Sequence, residues 1–320
     1  MLENNSQFIA EPLQPIRLKK TWYKRLLIYI GMLMIVVVGY VVFYFGLLYT
    51  TITVENGPFW KSLAQAVVGI DPKQIPEEEL DPNPMPTPTA DRLSILVLGI
   101  RGDDAFAIAQ EGGLLTDTLL LVTVDKKQNK ATMISIPRDV YLSMPTYLKD
   151  GTKIYFRGKV NEVYERGLAH KQGLSYVSSV VSKITGVYVD KAVMFNFDAF
   201  REIVDNLGGI EIKLSKPFVE ATQWGYEFSL PAGQNQLNGE QALYYARSRY
   251  SSSDFDRARR QQEVILAIKN KALNLGFLAN PIKVNSLFSD IKDDIRTNVQ
   301  LWEIGDFINI AKRISGNGAI

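Results

Sequence analysis

The chain has 320 residues, 46% hydrophobic and 22% charged, with a formal net charge of +2 and a pI near 8.5. That apolar share supplies the core of one or two domains and a membrane segment besides, and so mild a charge argues against nucleic acid as a partner. Cysteine is absent and His170 is the only histidine, which excludes disulfides, thiolate metal sites and a cysteine nucleophile. A Ser-His-Asp triad would have to use His170, which reads as an exposed turn residue between two helices.

Residues 1–25 are polar and end in the basic cluster Arg17, Lys19, Lys20, Lys24 and Arg25, whereas residues 26–54 contain no charged side chain. This run exceeds the roughly 20 apolar residues that cross a bilayer core, and aromatic residues stand near both ends. It is too long for a signal-peptide core and no A-x-A-like cleavage site follows it. The expectation is a cytoplasmic tail at 1–25, a single transmembrane anchor at 26–54 and an extracellular remainder. Residues 55–90 hold a short amphipathic stretch and then DPKQIPEEELDPNPMPTPTA, a Pro- and Glu-rich spacer that sets the 91–320 domain away from the membrane.

Short apolar runs predict strands at 93–100, 118–125 and 131–137, the last two joined through KKQNK, and further strands at 192–197 and 209–214. Helical patterns fall at 160–168, 174–184, 198–207, 239–247, 255–275 and 301–314. Strands alternating with helices predict an α/β fold, a three-layer α/β/α sandwich around a mixed central sheet.

The densest chemistry lies in LNGEQALYYARSRYSSSDFDRARRQQ, where Arg247, Arg249, Arg257, Arg259 and Arg260 crowd together beside Asp254 and Asp256. Arg247 and Arg249 are two apart and leave the same side of an extended backbone. Arg257 and Gln261 are four apart and share a face at the opening of a helix, whose body continues apolar through Val264, Ile265 and Ile268. Guanidinium forks and the free N–H groups of a helix start both favour phosphate oxygens, so the stretch reads as a diphosphate site. A solvated charged face, with Asp254 or the pair Ser253 and Asp256 merely capping the helix, is the competing reading. Three further stations fall at strand ends or helix starts: Asp117, then Arg138 with Asp139, then Lys159 with Asn161. Singly, Asp117, Asp139 and Asn161 could each be turn or cap residues.

The segments TDT at 116–118, SIPRD at 135–139, KVN at 159–161, FDAFREIVDNLGGIEI at 197–212, LNGEQALYYARSR and DFDRARRQQ resemble, in order and spacing, the LytR-CpsA-Psr family. The likeness runs from about residue 93 to 275. It implies a glycopolymer phosphotransferase that takes a sugar chain from a polyprenyl-pyrophosphate carrier in the membrane and passes it to a peptidoglycan acceptor. It also implies diphosphate binding by Arg138, Arg247, Arg249 and Arg257, with Gln261, Lys159 and Arg260 nearby, and magnesium or manganese held by Asp117. A lipid pocket would be lined by Val193, Phe195, Phe200 and Ile203, residues that equally suit an ordinary core. Two positions depart from the family pattern: Arg101 stands where Asp is usual and Leu115 where Arg is usual. Asp103 or Asp104 then becomes the candidate second metal carboxylate, and Arg101 is expected to turn into the pocket to replace the lost cation. Two other readings use much of the same chemistry: a polyprenyl-pyrophosphate hydrolase, and a non-catalytic lipid-binding or envelope-regulatory protein. A regulator would need a cytoplasmic effector domain, for which residues 1–25 are too few.

Overall fold

The computed structural model describes residues 33–34, 36–41, 85–102, 114–147, 153–274, 286–287 and 289–316. The chain divides into two units, Met1–Phe45 and Gly46–Ile320. In the first, the described residues are helical, and Leu33, Met34, Val36 and Val38 are exposed. Among the described residues no helix is long and apolar enough to cross a membrane, and most of the expected anchor and spacer lies outside them.

The second unit is built on a five-stranded mixed sheet. Its strands are β1 (Arg92–Gly99), β2 (Thr118–Asp125), β3 (Lys130–Ser135), β6 (Lys191–Phe195) and β11 (Ile295–Thr297), in the order β11-β6-β1-β2-β3. β1 pairs in parallel with β6 and antiparallel with β2, as the mixed expectation requires. The KKQNK connection is a tight turn: the Asp125 carboxylate accepts from the Lys127 and Gln128 backbone N–H groups at 2.8 Å each, and Asn129 takes a left-handed φ of 52°.

Helices cover both faces. Alternation along β1 sends Leu96 and Leu98 to one side, where α1 (Val163–Leu168) and α2 (Gly173–Thr185) bury Val163, Tyr164, Val177 and Val180 against them. Each such fully buried aliphatic side chain contributes about 1.5–3 kcal/mol. Leu93, facing the other way, packs with Val124 beneath Ile314 of α6 (Ile304–Gly316). A second apolar core gathers α3 (Phe197–Asn206), α4 (Gly239–Arg247) and α5 (Asp254–Asn274) around β7 (Ile210–Leu214), β8 (Phe218–Glu220), β9 (Phe228–Leu230) and β10 (Gly233–Leu237). Remaining are the paired strands β4 (Tyr141–Tyr147) and β5 (Lys153–Lys159).

The helices expected from periodicity are present within a residue or two, except that residues 160–162 form a 3₁₀ turn ahead of α1 and residues 301–303 another ahead of α6. Unanticipated were β4, β5 and β8 to β11. Pro145 lies inside β4, where its missing N–H suits an unshared edge but makes the sequence read as a turn, and β8, β9 and β11 have three residues each.

Gly239 fixes how α4 meets α3. A Cβ there would lie 2.5 Å from the Arg201 carbonyl and 2.7 Å from an Asp205 carboxylate oxygen. Gly239→Ala is therefore expected to cost about 1–3 kcal/mol through forced separation of the two helices, measured as a lowered thermal midpoint.

Candidate active site

The site forms where four strand ends meet. Gly99 at the end of β1 lies opposite Thr118 at the start of β2 and beside Phe195 at the end of β6. The Asp117 N–H donates to the Gly99 carbonyl at 2.9 Å, which sets Asp117 at this edge, and β3 delivers Arg138 to the same edge. Arg138 forms an ion pair with Asp117. Its Nε is buried and has no hydrogen-bond partner among the described residues, with a carboxylate oxygen of Asp139 3.6 Å away.

The second half comes from α4, α5 and the link between them. Arg247 is the last residue of α4, and Ser248, with φ −55° and ψ 132°, makes the extended step that presents Arg249. Asn238 starts α4 with a capping box to Gln241, while Ser253 and Asp256 form the corresponding box at the start of α5. Asp254 is thereby free of capping and ion-pairs with both Arg249 and Arg257 at 3.3 Å.

Together these segments border a cavity of about 320 Å³ whose described lining is Arg101, Arg138, Arg247, Arg249 and Arg257 around the carboxylate of Asp117, with Thr118, Phe197, Gln223, Tyr250 and Gln261. Burial lowers the basicity of Arg247, and nearby Arg101 and Arg201 add to that while Asp117 opposes it. Burial likewise lowers Arg257, with Asp254 and Asp117 opposing it. Both remain guanidinium ions at neutral pH, since a guanidinium holds its proton far into the basic range. Arg247 is further held between two rings, 4.0 Å from the Phe197 centroid and 5.1 Å from that of Trp224. Among the described residues five cations gather about one acid, with Arg247 and Arg257 partly desolvated, an arrangement suited to a multiply charged oxyanion.

Of the residues singled out from sequence, Arg101, Asp117, Arg138, Arg247, Arg249, Arg257 and Gln261 converge here. Lys159 does not line the cavity; its ammonium lies 2.8 Å from Asp139, and this bond, more than the nearby Arg138 and Arg249, holds the Asp139 carboxyl below the usual carboxylate range. Asn161 is buried, and its backbone carbonyl takes both the Thr116 N–H and hydroxyl, tying the loops together. Asp103 and Asp104 lie outside the described residues.

One expectation is corrected. Arg260 faces the protein interior: at 6% exposure it donates from Nε to the Tyr245 carbonyl at 2.8 Å and from a terminal nitrogen to the Ser248 carbonyl. It shares a helical face with Arg257 in spacing, but being one step round it points at the end of α4 instead of the cavity. Arg260→Ala is expected to cost about 2–4 kcal/mol, because a charged donor is lost and buried carbonyls are orphaned; equilibrium denaturation measures this. Val193, Phe195 and Ile203 pack with Ala199 and Ile295, and Phe200 joins the second core, its ring stacked on Phe195. These four fill cores and line neither this cavity nor the smaller one described below.

Sequence reasoning missed Gln223, on the turn between β8 and β9. Its amide donates to the Arg247 carbonyl at 3.2 Å and accepts from the Arg249 N–H at 2.6 Å, clasping the backbone of both arginines. Trp224 adds an indole N–H to the Ser248 hydroxyl at 3.3 Å. A contact across 24 residues leaves no local signal.

Among the described residues no cluster of three or more metal-ligating side chains occurs. Asp117 is one hard oxygen donor facing the cavity, and magnesium typically takes one or two carboxylates and completes its shell with water and substrate phosphate. The donor set therefore fits a cation that arrives with a phosphorylated substrate.

This is an arginine-lined cavity at the strand ends of an α/β fold, the place such folds use for phosphorylated ligands. Residues 62–318 match the LytR_cpsA_psr family, and the chain belongs to that family. It is 33% identical over 233 residues, 70% of this chain and 67% of the relative, to the Bacillus subtilis polyisoprenyl-teichoic acid--peptidoglycan teichoic acid transferase TagU. The crystal structure of B. subtilis TagV superposes with a TM-score of 0.52 at 27% identity, covering 71% of this chain and 81% of that one. A structure of TagT bound to LI-WTA superposes with a TM-score of 0.51 at 25% identity, covering 74% and 81%. The chain spans 50% to 67% of the length of five curated relatives it matches.

Proposed function

We propose that this protein is a phosphotransferase that moves a glycopolymer from a polyprenyl-diphosphate carrier to peptidoglycan. The observation that carries the reading is the cavity of five arginines around Asp117, on a chain belonging to a family whose relatives are named as transferases of that kind. Arg247, Arg249 and Arg257 grip the diphosphate oxygens and hold the glycan-side phosphorus in line with an incoming sugar hydroxyl, while Arg138, released from Asp117, turns to the same charge. The hydroxyl attacks that phosphorus, the bridging P–O bond breaks, and polyprenyl phosphate departs. Little covalent chemistry is asked of the protein, since positioning and charge neutralisation lower the barrier of phosphoryl transfer. Asp117 would hold a magnesium ion, which when bound supplies further neutralisation of the diphosphate.

Mixing the purified full-length protein with labelled lipid-diphosphate glycan, with and without peptidoglycan, tests the reading. Label appearing on peptidoglycan supports it; release of free glycan phosphate at the same rate without acceptor would make the protein a hydrolase.

The uncharged run at 26–54 behind a basic flank supports a single-pass anchor with the domain outside the cell. Protease added to intact cells is expected to remove the domain; protection until lysis would reverse the orientation.

A further inference from the structure

The paired strands β4 and β5 form a ribbon with two unlike faces. Leu142 and Phe156 are buried in the main core, with Met144 packed against it. The opposite face carries the cross-strand partners Tyr141 with Lys159, Ser143 with Arg157, and Pro145 with Tyr155. Tyr141 and Tyr155 are each 64% exposed, and Ser143, Arg157 and Lys159 are exposed as well. The strip begins beside the arginine cavity, because Lys159 is bound to Asp139, the residue after Arg138. It ends at a second cavity of about 150 Å³, lined by Tyr155, Phe156, Arg166, His170 and Tyr176. Arg166 is held there by Glu162 at 2.6 Å and lies 5.1 Å from the Phe156 centroid.

We propose that the outer face of β4–β5, with the cavity at its end, is the surface along which a linear, carboxylate-bearing glycan acceptor lies. The inference rests on the phosphotransferase reading above. Exposed flat rings offer apolar faces to the C–H side of a sugar at small entropic cost, and the Tyr155 hydroxyl is paired across the ribbon with the Ser143 hydroxyl at 3.4 Å, which leaves the ring face for the sugar. Arg157 and Arg166 complement carboxylates carried by the acceptor. Continuity matters too: a polymer lying on the strip reaches the arginine cavity at Lys159, where an acceptor hydroxyl is needed. A membrane surface is the rival occupant. It is disfavoured because the described outer face carries no exposed aliphatic side chain to enter an apolar layer.

The test uses the full-length protein and soluble glycan-strand fragments of peptidoglycan. Tyr155→Ala is expected to weaken fragment binding and raise the acceptor KM by about tenfold, the loss of one aromatic contact surface. Tyr155→Phe should keep wild-type fragment binding, and Tyr155→Ala with Arg157→Ala should lose more while affinity for the lipid diphosphate stays unchanged. An unaltered acceptor KM in the double variant overturns the proposal. So does fragment binding that survives while binding to anionic phospholipid vesicles falls, which would turn the ribbon toward the membrane. If the wild type binds the fragments through Tyr155 yet has no affinity for the lipid diphosphate, the glycan surface stands and the phosphotransferase reading fails.

Discussion

Replacing Arg247 and Arg249 together with alanine is expected to lower kcat/KM for transfer by about 10²- to 10⁴-fold, with the fold intact. Each substitution removes a charge-assisted hydrogen bond worth about 1.5–3 kcal/mol, and about 1.4 kcal/mol of transition-state stabilisation is tenfold in rate. The fold should survive because both side chains face the cavity, while the backbone of the segment is held by Gln223 and Arg260 and the Ser248 hydroxyl by Trp224. Lysine in place of both should recover only part of the rate, as it restores charge without the planar fork. Turnover near wild type in the double alanine variant, with an unchanged thermal midpoint, would remove these arginines from the reaction.

Asp117→Ala should produce two effects of opposite sign. Among the described residues Asp117 is the only carboxylate in the wall of the cavity and, without a cation, it repels a diphosphate and occupies Arg138. Metal-free affinity for a lipid diphosphate should therefore rise in the variant. Magnesium-stimulated turnover should fall by about 100-fold, the scale seen when one preorganised charge-stabilising group is removed. Titration of the lipid with and without magnesium, beside steady-state rates, reads both. Magnesium stimulation that persists in Asp117→Ala would place the ion elsewhere.

What could be read from the sequence follows from how local the signal is. The main sheet strands and the helices carry periodicity, and Arg247, Arg249, Arg257 and Gln261 owe their convergence to spacings of two and four on adjoining elements. Asp117 and Arg138 were legible as polar residues at the ends of apolar runs. Gln223 and Phe197 enter through tertiary contact alone, and nothing in ATQWGYE announces a clasp on residues 247–249. Arg260 misled because helical spacing assigns a face without saying what that face meets.

The two-point clasp by Gln223 also bears on when the site comes into being. Its partners lie 24 and 26 residues away, and Glu220 reaches still farther, accepting from the Ser251 hydroxyl at 3.0 Å. Helices α4 and α5 can form from their own capping boxes, but the turn carrying Arg249 acquires its shape only once the β8–β9 hairpin has closed over it. During refolding, recovery of helical signal should thus precede recovery of diphosphate affinity. Ligand added to the unfolded chain will find no receptor, and by binding the finished state alone it will raise the unfolding temperature in proportion to the logarithm of its concentration.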